Sequence, residues 1–79
     1  EGVAMKRLKY ISTDPKICGG KPCFRGTRIP VSVVLNYIGA GDSMDTVLEN
    51  YPGLTRNHIL EAIRFAAHMV NFEEMEIPA

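Results

Sequence analysis

Ile17-Cys18-Gly19-Gly20-Lys21-Pro22-Cys23-Phe24-Arg25-Gly26-Thr27-Arg28-Ile29-Pro30-Val31 is the stretch that decides how this chain folds. Gly19, Gly20, Pro22, Gly26 and Pro30 are turn formers, and the residues between them favour strands. Such a segment builds a small, sharply turned β-element. Lys21, Arg25 and Arg28 make that element cationic. From Val31 onward the pattern is purely helical, so the spacing predicts a basic arm followed by a helical body.

On the N-terminal side, Leu8-Lys9-Tyr10-Ile11 is β-prone, and Asp14-Pro15 ends it because Pro removes a backbone donor. Ile17-Cys18 and Cys23-Phe24 flank Gly19–Pro22 and predict a hairpin-like reversal. Gly26-Thr27 predicts a second turn, and Arg28-Ile29 a last short strand. Glu1 to Ala4 read as residues left by expression ahead of an initiator Met5.

On the C-terminal side three helices are expected. Val31, Val34, Leu35 and Ile38 recur at helical spacing, and Gly39-Ala40-Gly41 stops the run. Asp42 or Ser43 caps a second helix with Met44, Val47, Leu48 and Tyr51 on its apolar side, ended by Pro52-Gly53. Thr55 caps a third that runs to about Asn71. On a wheel, Ile59, Ala62, Ile63, Ala66, Ala67 and Val70 form a core face; Asn57, Glu61, Arg64 and His68 lie opposite. Phe65, Met69 and Phe72 form an edge stripe, which either packs under the β-arm or marks a dimer or partner contact.

The expected class is therefore mainly α with a small N-terminal β-element: a three-helix helix-turn-helix body, homeodomain-like or winged-helix-like, preceded by short strands. The expected organisation is a flexible segment over 1–9, a β-hairpin arm over 10–30, the trihelical body over 31–71 and a tail over 72–79. A chain of 79 residues is one domain with a small core, for which association with a partner or a second copy is a reasonable supplement. No apolar run approaches the ~18 residues of a membrane span and no signal segment is visible, so a cytoplasmic location with no membrane partner is expected.

Zero net charge hides an asymmetry. Residues 1–30 carry seven cations against two acids, for +5; residues 31–79 carry two against seven, for −5. This polarity suits a polyanion at one end and a basic partner at the other, or two copies packed head to tail. If the third helix enters a major groove, Arg56, Asn57 and His58 would read bases and Arg64 would meet a phosphate. Lys21, Arg25 and Arg28 would add phosphate contacts from the arm. Glu61 and the acidic body argue the other way, for a protein-interaction module of the same shape.

Cys18 and Cys23, spaced C-x4-C with no histidine pair near, fall short of a four-ligand zinc site unless two copies pool four thiolates, and two reduced thiols are expected. Gly19-Gly20-Lys21 lacks phosphate-loop spacing, and Pro22 stands where a helix would begin. No catalytic arrangement is readable, so the expectation is a binding protein with no catalytic residue, no metal and no cofactor.

Ile11, Asp14, Pro15, Ile17, Cys18, Gly20, Lys21 and Pro22, then Gly26 to Val31, and later Tyr51-Pro52, Leu54, Ala62 and Ala66, carry a specific resemblance. The chain resembles the bacterial and archaeal family catalogued as domain of unknown function number 433, over about Tyr10 to Val70. The resemblance implies small strands ahead of a helix-turn-helix. Many members of that family lie beside small nuclease-like toxins and are described as antitoxins. The reading this implies is a DNA-binding antitoxin-like regulator acting as a homodimer, its two third helices about 34 Å apart, with its acidic end, Glu73 to Ala79, docked on a basic toxin. Lys21, Pro22, Gly26, Thr27 and Arg28 are the signature positions. Their expected role is structural: glycines with positive φ, and Arg28 paired with Asp14 or a carbonyl to lock the arm. Asn57-His58 stand where relatives often carry acids, and Phe65 where tyrosine is frequent.

Overall fold

In the computed structural model, residues 8–73 are described here, with side chains to Val70; Glu1–Ala4 and the acidic end beyond Glu73 lie outside the described residues. The order is β1 (Ile11–Ser12), a 3₁₀ turn (Cys18–Gly20), β2 (Cys23–Phe24), α1 (Val31–Gly39), α2 (Met44–Asn50) and α3 (Arg56–Glu73). The chain is mainly helical, with one short two-stranded sheet on its N-terminal side.

The strand pairing differs from the expected one. Cys23-Phe24 pairs antiparallel with Ile11-Ser12, Ile11 opposite Phe24 and Ser12 opposite Cys23. Ile17-Cys18 is not a strand, because Cys18 (φ 54°), Gly19 (φ 64°) and Gly20 (φ 85°) curl successively through left-handed backbone. Three such residues bend the chain away from any ladder. Arg28-Ile29 is not a strand either. Its one backbone–backbone hydrogen bond is Phe24 N–H to Ile29 O at 3.0 Å, beside a single bridge between Cys23 and Pro30.

Helix boundaries follow the capping chemistry. Val31 N–H, an orphan donor at the start of α1, is satisfied by Pro22 O at 3.0 Å, which joins arm to body. Ser43 caps α2 by accepting from Thr46 N–H at 3.2 Å. At α3 the cap is reciprocal: Thr55 O accepts from His58 N–H, and His58 Nδ1 accepts from Thr55 N–H, each at 3.0 Å. Tyr37 and Tyr51 meet edge to face at 6.1 Å and close α1 on the end of α2.

The core comprises Ile11, Phe24, Val31, Val34, Val47, Leu54, Ile59, Ala62 and Phe65. Phe24 and Ile11, on the arm, are its largest fully buried side chains with Ile59. The arm is thus a wall of the core. This rotates α3 relative to the expected wheel. Ile59 and Ala62 are buried as expected, but Ile63 is exposed and Val70 is 60% exposed. Glu61 and Phe65 take their place at 6% and 8% exposure. Phe65 packs under the β-arm, the first of the two alternatives for the edge stripe; Met69 is exposed, and the Phe72 side chain lies outside those described.

Candidate nucleic-acid interface

The cations of the arm have separate fates. Arg25 is spent on the fold. Its guanidinium donates to the carbonyls of Lys9 (3.2 Å), Leu8 (3.3 Å) and Ile11 (2.9 Å), while its N–H donates to Tyr10 O at 2.6 Å. A planar fork with several donors is suited to three adjacent carbonyls in a way a lysine is not. Arg28 forms neither of the locks expected of it. The Asp14 carboxylate accepts from Lys16 N–H instead, at 2.9 Å, and Arg28 is exposed with no side-chain hydrogen bond or ion pair. The locking arginine is Arg25, three positions earlier. Lys21 is also exposed and unpaired.

Gly26-Thr27 is explained by local geometry. Gly26 holds φ +81°, which side-chain-bearing residues rarely adopt, and closes the turn from Phe24 O to Thr27 N–H. The Thr27 hydroxyl donates to Phe24 O at 2.7 Å and accepts from Ile29 N–H at 3.0 Å.

On α3 the polar side divides. Asn57 and Arg64 point into solvent. Arg56 is exposed and sits 3.6 Å from Asp45 of α2, an ion pair so solvated that it contributes little stability. His58 is half-buried against the arm. Its ring lies 4.3 Å from Tyr10 and edge-on to Phe24 at 5.6 Å. Burial pushes its pKa below the ordinary histidine value, the Glu61 charge pulling weakly the other way. A neutral imidazole is what Nδ1 requires in order to accept from Thr55 N–H.

Glu61 is turned inward. Its carboxylate accepts from the backbone N–H groups of Tyr10 (2.7 Å) and Lys9 (3.2 Å). The exposed surface of the first half of α3 therefore presents Arg56, Asn57, Leu60, Ile63 and Arg64, with no α3 carboxylate among them and with Asp45 of α2 beside Arg56. Sequence reasoning missed this because heptad and wheel positions are blind to an N-terminal segment folding over one flank.

Among the described residues no three His, Cys, Asp or Glu side chains gather to hold a metal ion, and no helix is long and apolar enough to cross a membrane. A shallow open depression is lined by Val33, Asn36 and Tyr37 of α1 and by Ala40 and Asp42 just after it.

A trihelical body braced by a turned, arginine-locked arm defines a small helix-turn-helix class. The chain matches the family described as protein of unknown function, DUF433, over residues 11–66, and belongs to it. It is similar to a crystal structure of a member of that family from Anabaena variabilis, with 35% identity and a TM-score of 0.72, covering 84% of this chain and 64% of that one. It is also 39% identical over 58 residues to the uncharacterized protein y4eO of Sinorhizobium fredii, covering 73% of this chain. The chain spans only 26% of y4eO's length.

Proposed function

We propose that this protein is a DNA-binding antitoxin-like regulator, a binding protein rather than an enzyme. Arg56, Asn57 and Arg64 meet the duplex from α3, and Lys21 and Arg28 add phosphate contacts from the arm. The observation that carries this reading is the burial of Glu61. The acid that would repel phosphate on the reading face is withdrawn from it, and its charge is held by backbone donors. Arg and Asn each offer the two-point hydrogen bonds that recognise guanine and adenine. The small nuclease-like toxin remains the proposed second partner, on the strength of the family resemblance.

The protein acts as a homodimer in this reading, through a different face of α3 from the Phe65 edge. Leu60, Ile63, Ala67 and Val70 are all exposed and follow the 3-4-3 spacing of a coiled-coil seam. Such a stripe is self-complementary about a two-fold axis. Antiparallel pairing opposes the dipoles of the two α3 helices. Asn57 and Arg64 lie about 90° round the helix from the stripe and stay outward; with the packed axes about 8–10 Å apart, the two α3 helices meet DNA as one pair rather than in grooves about 34 Å apart.

Gel-shift titration of the DNA upstream of its own gene, across a salt series, tests the reading. Affinity should fall with rising salt, and Arg64→Ala should flatten the slope. No binding at low salt would reject it. The exposed stripe favours a second reading, in which the helix-turn-helix shape serves protein contacts alone; co-purification with a basic neighbour and no DNA binding would select it.

A further inference from the structure

The C-x4-C pair lies outside the surface just described. The Cys18 and Cys23 sulfurs are 3.0 Å apart in the reduced protein. Cys18 is the one non-glycine residue with positive φ among those described, and it opens the left-handed turn through Gly19 and Gly20. Glycine occupies such backbone without strain, so a cysteine held there is a conformation imposed by its surroundings. That conformation brings Cys18 Sγ onto Cys23 Sγ. The other end of the pair is fixed by β2, where Cys23 is 3% exposed and donates its S–H to Thr27 O at 3.2 Å. Cys18 is half-buried and Cys23 buried, so Cys18 is the more exposed member of the pair.

We propose that Cys18 and Cys23 form a reversible dithiol–disulfide site that exchanges with small-molecule disulfides of the glutathione class. The Cys18 thiolate attacks one sulfur of oxidised glutathione, breaking its S–S bond and releasing one glutathione thiolate, which takes up a proton from solvent. The Cys23 thiolate then attacks Cys18 Sγ and releases the second glutathione. Two protein thiols are oxidised and one disulfide is reduced to two thiols, so electrons and protons balance. The sulfurs need to approach by only about 1 Å to reach bonding distance. Closure ties the turn that carries Lys21 to β2. This site is independent of whether the protein binds DNA.

Equilibration of the whole protein with reduced and oxidised glutathione, followed by an acid quench, alkylation with N-ethylmaleimide in guanidinium so that buried Cys23 is also reached, and intact-mass measurement, tests it. Two maleimide adducts are expected under reducing conditions and none under oxidising ones, with no glutathione retained. The oxidation midpoint of the folded protein should favour the disulfide about tenfold, or about 30 mV, over the same chain in guanidinium, because the fold and not the sequence spacing brings the sulfurs together. Cys23→Ser should stop at a glutathione adduct on Cys18, and Cys18→Ser should leave Cys23 unmodified. Persistent double alkylation, a glutathione adduct as the wild-type end product, or equal midpoints for folded and unfolded chain would each overturn the proposal. The wild-type readouts stand even where a variant fails to fold.

Discussion

The Glu61 carboxylate accepts a 2.7 Å hydrogen bond from the backbone N–H of Tyr10, fifty-one residues earlier in the chain. This contact, with its 3.2 Å companion at Lys9, clamps the segment before β1 to the middle of α3. A charged acceptor on two backbone donors is among the stronger hydrogen-bonded arrangements. Glu61→Ala should cost about 2–3 kcal/mol, since it also orphans two donors, and Glu61→Gln should cost less. Urea unfolding reads both. A loss below experimental error for Glu61→Ala would show that the clamp is dispensable.

His58 makes stability depend on pH. Its folded pKa is lowered by burial, so the unfolded chain binds the proton more readily. The neutral-state contribution is fully present above the unfolded value of about 6.5. It is lost progressively as pH falls from there toward the lower folded value. The urea midpoint should drop between pH 7 and pH 5. In His58→Gln, whose side chain can still accept from Thr55 N–H, that drop should shrink. An unchanged pH profile in the variant would remove His58 as its source.

Arg25→Lys should destabilise nearly as much as Arg25→Ala, because the fork to Leu8, Lys9 and Ile11 carbonyls needs the guanidinium plane. A loss of about 1 kcal/mol is expected for either, with faster amide exchange at Ile11. Arg28→Ala should leave stability within about 0.5 kcal/mol of the parent, in line with its exposure. A larger loss at Arg28 than at Arg25 would reverse the assignment of the lock.

Ile63→Asp should abolish self-association while leaving the fold intact, because Ile63 is already 37% exposed. Sedimentation velocity distinguishes the two states. On a cysteine-free background, paired Leu60→Cys and Val70→Cys variants should cross-link to each other when mixed. Efficient Ile63→Cys self-cross-linking would instead indicate parallel helices. A parent that sediments as a monomer at high micromolar concentration would exclude the seam.

Helix positions, their caps at Ser43 and Thr55, the stop after Gly39 and the turn at Gly26-Thr27 were legible because each rests on local chemistry: apolar period, side-chain capping and the φ freedom of glycine. The pairing partner of β2 was not, because strand registry depends on how Cys18-Gly19-Gly20 redirects the chain. A glutamate at position 61 reads as solvated on any wheel, and only the arrival of Lys9 and Tyr10 from the other end of the chain makes burial favourable there. The same event rotates α3, drawing Phe65 inward and leaving Ile63 and Val70 outside. Local order was thus written in neighbouring residues. Which face of α3 meets solvent was decided by long-range packing, since burial is a property of what the folded chain lays over a residue.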